Sequence, residues 1–231
     1  MNGIPTIYDF LAFLEPLRGR PAAILVLLTA SLILILWDWR WLLLTLIVQY
    51  LVVGLLFADV ILPHLAFMKV LVGTFNCLIL YITARQVNFG RPPEDLTEEE
   101  AGQFVEKRLV QIGPITIPSD VPFRVFLALI VMIAVWVLSQ NANFLLPEVP
   151  EHVNLAILSL VGMGLVTFSL SVEPLKAGLG FLTFMTGFEL FYHAVEQSIA
   201  MLAMLSIAEL IIVLSIAYLM QARHSFLALP D

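Results

Sequence analysis

Apolar runs of nearly twenty residues recur along the whole chain, broken by short polar stretches. A run of that length is what a helix needs to cross a hydrocarbon layer about 30 Å thick, at roughly 1.5 Å per residue. A membrane β-barrel would alternate polar and apolar positions, and these runs do not alternate. A bilayer offers backbone groups no water, so such runs predict helices that close their own hydrogen bonds. The expected fold is an all-α polytopic transmembrane bundle of about seven spans, near 21–37, 41–58, 62–83, 121–138, 153–170, 175–194 and 199–220. The first two are joined by WDWRW, whose three tryptophans suit a membrane–water boundary.

One long polar segment, 84–121, interrupts this pattern. Within it LTEEEAGQFVEKRLVQIGP offers Thr97 as an N-cap and Glu100 three residues later, a capping-box pattern. Ala101, Phe104, Val105 and Leu109 then line one face, and Gly113-Pro114 ends the run. This predicts a short amphipathic helix, lying on the membrane surface, docked on a partner, or serving as a solvated connector. Residues 1–17, with Ile7, Phe10, Leu11 and Leu14, suggest a similar surface helix. The organisation is thus 1–83 (surface helix and three spans), 84–121 (polar loop) and 122–231 (four spans).

Composition supports a membrane class: 61% of residues are hydrophobic, 13% are charged, and mean hydropathy is +0.99. The net charge of −7 is local, because six acids fall between Glu94 and Glu106. The opening MNGIPTIYDF has no basic n-region or small-residue cleavage site, which predicts no cleaved signal peptide. Seven spans place Arg18 and Arg20 on one side, and Arg40, Arg85, Arg91, Lys107, Arg108, Arg124, Lys176 and Arg223 on the other. The positive-inside rule makes the second side cytoplasmic, with the N-terminus outside and the C-terminus inside. Arg18 and Arg20, directly before the first span, pull the other way.

The candidate chemistry lies in ionisable residues within the spans: Lys69, Glu189, His193, Glu196 and Glu209. Each is costly in hydrocarbon, and such residues commonly face a bundle interior and mark ion pathways. Glu189, His193 and Glu196 fall at i, i+4 and i+7, one helical face. Counting ~1.5 Å per residue from a turn near Gln197-Ser198, Glu189 lies roughly 12 Å deep and Glu209 roughly 17 Å deep. The two helices would form an antiparallel hairpin, so these two acids can meet. Glu196 sits at the turn, as an interfacial carboxylate or an exit. His193 is a boundary histidine or a relay. Lys69 is some seven residues from either end of its span, which favours a buried role over snorkelling. The alternative for Glu189 and Glu209 is a structural interhelical hydrogen bond, but burial alone pushes a carboxyl toward the neutral range that a proton relay needs. The lone Cys77 reads as a small buried hydrophobe. No metal-binding cluster, nucleophile motif, phosphate loop or nucleic-acid signature is visible, so no cofactor and no catalytic site are expected.

Gly187-Phe188-Glu189, the run SIAELIIVLSIAYL around Glu209, and EPLKAGLGFLTFMTG before them resemble subunit K of NADH-quinone oxidoreductase. That family is the three-helix membrane subunit of complex I, and the resemblance spans 153–223. AFMKVLVGTFNCLILYITARQV, residues 66–87, is similar to the third-span region of component E of hydrogenase-4, with Lys69 at its membrane lysine. This second resemblance runs over most of residues 20–223.

The resemblance implies a membrane-arm subunit of a complex I-like or group 4 hydrogenase-like redox complex in a prokaryotic plasma (inner) membrane. Its partners would be antiporter-like membrane subunits and a peripheral electron-transfer arm. Glu189 and Glu209 would relay protons or sodium ions, with Lys69 as a further station, and the subunit would hold no cofactor. The alternatives are a structural scaffold of a respiratory or photosynthetic complex and a free-standing transporter. No inverted repeat is visible to favour the transporter.

Overall fold

The computed structural model describes residues 14–87, 109–112, 115–118, 121–147 and 149–227. Seven α-helices carry the architecture: α1 (Arg20–Ile35), α2 (Trp39–Val60), α3 (Pro63–Gln86), α4 (Val121–Ser139), α5 (Glu151–Leu170), α6 (Pro174–Val195) and α7 (Ile199–Leu227). Each coincides with an expected span to within a few residues, except that α7 runs on to Leu227. Five of them, α2, α3, α4, α5 and α7, are long and apolar enough to cross a membrane. α1 has 16 residues and is shorter. α6 has 22 residues, but Lys176, Glu189 and its run of Gly and Thr lower its apolarity.

Local chemistry sets the helix starts. Pro21, Pro63 and Pro174 occupy first-turn positions of α1, α3 and α6, where a missing N–H costs nothing. Gly19, at φ 75°, makes the left-handed entry to α1. Asp38 in WDWRW caps α2 by accepting a 2.9 Å bond from the Arg40 N–H. The Arg40 guanidinium lies over the Trp39 ring, which packs against Tyr81 of α3.

Contacts at the helix ends define two sides. Arg20 meets Glu151, His152 meets Asp59, and Gln197 donates to the Val60 carbonyl, so the ends near 20, 60, 151 and 195 share the Asp59 side. Lys176 donates to the Leu36 carbonyl at 2.5 Å, and Arg223 to the Val172 carbonyl, on the opposite, Lys176 side.

α5 and α6 pack most closely. A Cβ on Gly164 would strike the Phe184 backbone, and one on Gly180 the Phe168 backbone. Small residues thus let the two backbones touch, as the small-residue surface of α6 predicts.

A small apolar cluster around Leu34, Ala128 and Met163 joins α1, α4 and α5, and two larger ones fill the rest of the interior. One, with Phe57, Leu56, Leu160 and Leu190, lies toward the Asp59 side. The other, with Leu46, Leu80, Leu179 and Ile216, lies toward the Lys176 side. The outward faces of α4 and α7 expose Phe126, Ile133, Ile207 and Tyr218, as lipid-facing helices do.

The polar loop departs from expectation. Leu109 belongs to a strand, Leu109–Ile112, paired antiparallel with Ile115–Pro118 so that Leu109 faces Pro118 and Ile112 faces Ile115. Val110, Ile112, Ile115, Thr116 and Ile117 are β-branched and favour extended backbone. In the sequence, Gly113-Pro114 is therefore the link between two strands rather than a helix stop. Thr97, Glu100, Ala101, Phe104 and Val105, like Ile7, Phe10 and Leu11, lie outside the described residues. Glu15–Leu17 form a single 3-10 turn.

A buried lysine between two glutamates

α3, α6 and α7 each bring one ionisable side chain to the same point. Lys69 Nζ lies 2.5 Å from Glu189 Oε2 and 3.2 Å from Glu209 Oε2. It also donates to Ser206 Oγ, one turn before Glu209, at 3.3 Å. The side chains are 4%, 0% and 0% exposed, so the cluster is closed off from the surroundings. The Lys69–Glu209 contact is an aligned hydrogen bond. The Lys69–Glu189 contact is a close charge pair off the hydrogen-bond direction, and it leaves both Glu189 oxygens without a hydrogen bond among the described residues.

Depth follows from the helices. Lys69 is six residues into α3, Glu189 six from the end of α6, and Glu209 ten into α7. At ~1.5 Å per residue the triad sits roughly 9–15 Å from the Asp59 side. The two apolar clusters close it off above and below.

His193 joins from the Asp59 side. Its Nδ1 lies 2.8 Å from the Glu189 carbonyl oxygen, which can only accept, so Nδ1 carries the proton. In the neutral ring Nε2 is then a bare acceptor. It is buried and has no partner among the described residues. Phe57 and Tyr192 hold the ring edge-on. A ring fixed in this tautomer, one turn above a carboxyl, can take up a proton at Nε2.

Of the expected residues, the structure brings Lys69, Glu189 and Glu209 into contact and joins His193 through a backbone carbonyl. Glu196 does not join them. It is the extended residue that ends α6, it is exposed, and it accepts a 3.2 Å bond from the Tyr192 hydroxyl. The i, i+4, i+7 pattern breaks there because the helix stops at Val195.

Three polar residues near the triad lay unremarked in the apolar runs. Tyr50 and Gln49 come from α2, and Asn76 from α3. The Tyr50 ring packs on Gly73, where any Cβ would collide with it, and Gly73 lies one turn from Lys69 on α3. Gln49 Nε2 donates to Thr183 Oγ1 at 3.3 Å. A lone amide or phenol amid leucines was the available signal. No group of three or more metal-ligating side chains occurs among the described residues.

No family model matches the chain, and no curated protein or solved structure matches it either.

Proposed function

We propose that the chain is an integral membrane subunit that moves protons, or sodium ions, through the Lys69–Glu189–Glu209 triad. One observation carries this reading: a single ammonium faces two carboxylates at 2.5 and 3.2 Å in the buried interior. One ammonium balances one carboxylate. The other requires a proton or a cation, because an unbalanced buried charge is costly. Lys69 touches both acids, so it can favour one and then the other as that extra charge arrives and leaves. His193, with a bare Nε2 one turn nearer the Asp59 side, supplies the next acceptor.

The resemblance of the 187–189 and 206–219 stretches, and of the region around Lys69, extends the proposal to a complex I-like or hydrogenase-4-like redox assembly. There, electron transfer in a peripheral arm would drive the charge movement, beside antiporter-like membrane subunits. The prokaryotic plasma membrane, with the C-terminus cytoplasmic, belongs to the same proposal.

A structural scaffold is the second reading. It is favoured by the same contacts, since Lys69 ties α3 to both α6 and α7. Glu189→Gln and Glu209→Gln separate the two readings in membrane vesicles, with ion uptake measured beside assembly on native gels. Translocation requires lost uptake with intact assembly in each variant. Unchanged uptake in both variants leaves only the scaffold. Copurified iron–sulfur and antiporter-like subunits would support the redox assembly.

A further inference from the structure

We propose that an internal water cluster adjoins the triad on its Lys176 side, held by Tyr50, Gln49 and Asn76, and continues the hydrogen-bonding path toward mid-membrane. The inference rests on the relay reading for its purpose, but not for its test.

Asn76 is 0% exposed, and neither polar atom of its amide has a hydrogen-bond partner among the described residues. Gln49 is equally buried, and its Oε1 has no partner although its Nε2 has one. The Tyr50 hydroxyl has the Thr186 hydroxyl as a neighbour but no well-formed hydrogen bond. Each buried polar atom left unpaired keeps the full cost of having lost its water. Native proteins rarely leave several such atoms together, and the usual partner is an ordered water with two to four polar neighbours.

The three side chains share one region. Gly54 lies against Val70 and Gly73 against the Tyr50 ring, which sets the antiparallel register of α2 and α3. That register puts Asn76 at the depth of residues 47–48, within roughly 3 Å of the level of Gln49. Asn76 also follows Lys69 by seven residues, on the same buried stripe of α3. Tyr50, packed on Gly73, falls between Lys69 and Asn76 in depth. Beyond them Leu80, Leu179 and Ile216 close the interior toward the Lys176 side.

The chain carries its own probe. Cys77, the single cysteine, adjoins Asn76 in the chain and is buried. Its S–H stretch is therefore a unique infrared band. The full chain in lipid nanodiscs is transferred to D2O, and the thiol band is followed beside the helical amide bands. Water beside Asn76 makes the thiol exchange while the helical amides remain protonated. Asn76→Leu should slow this exchange by about tenfold, the factor for losing one good hydrogen-bond partner of the water. Tyr50→Phe, which changes no volume in the core beyond one hydroxyl, should also slow it and serves if Asn76→Leu does not fold. A thiol band that outlasts the amides, or exchange unaltered in a folded variant, overturns the proposal. Because the readout is hydration rather than transport, a dry thiol would leave the triad reading standing.

Discussion

Two ionic clusters of three residues lie roughly 10 Å apart in depth by helical rise, and they are opposites. At the rim, Asp59 stands between two basic side chains: Arg18 meets one oxygen, and His152 Nε2 lies 3.2 Å from the other. In the interior, one lysine stands between two acids. The rim side chains keep 36%, 15% and 21% of their surface in contact with the surroundings, against 4%, 0% and 0% in the triad. Water and headgroups can therefore supply whatever charge the rim cluster lacks. The triad is closed off from the surroundings, so its charge must balance within the protein. Similar residues make a half-exposed tie in one place and a buried ionic centre in the other, and depth makes the difference.

Breaking the interior cluster should have the largest effect. Lys69→Met leaves two buried carboxylates facing each other with no cation, and should cost about 3–5 kcal/mol of stability. Thermal unfolding in detergent, followed by circular dichroism, measures it. Neutralising all three positions together, as Lys69→Met with Glu189→Gln and Glu209→Gln, removes the stranded charges. The triple variant should regain most of that loss, to within about 1 kcal/mol of the native chain. A triple variant as unstable as Lys69→Met would mean that the lysine stem, not its charge, holds α3 in place.

At the rim, Asp59→Asn should cost only about 0.5–1 kcal/mol, and the difference should shrink as salt is raised. A salt-independent loss would put Asp59 in the same class as the triad. Smallest of all, Arg20→Gln breaks a pair whose side chains are 79% and 72% exposed, and should leave the thermal midpoint unchanged.

The helices were legible because hydrophobic length is a strong constraint in a bilayer, and proline and Asp38 mark where they begin. The meeting of Glu189 with the level of Glu209 was also legible, from counting residues around one short turn. That Lys69 completes the pair was not. It comes from a helix 120 residues before Glu189, and nothing local states that α3 packs against α7. Glu196 was read at the turn, as an interfacial carboxylate or an exit, and it does lie exposed just past Val195. The first strand of the 109–118 hairpin was read as the end of a helix, because Leu109 fits a helical face while the β-branching around it favours a strand. Gln49, Tyr50 and Asn76 were masked by their apolar neighbours, since a window average hides one polar side chain.

The distribution of the triad over the chain also bears on how the protein is made. Lys69 is synthesised and inserted with α3, whereas its two carboxylates arrive on the last two helices. Until α6 enters the bilayer, α3 carries an unmatched cation, and until α7 enters, the second acid is missing. Completion of the ionic centre is therefore a late event in biogenesis. A chain halted between α5 and α6 would display a lone lysine in its third helix, a mark by which membrane quality control could tell an unfinished molecule from a finished one.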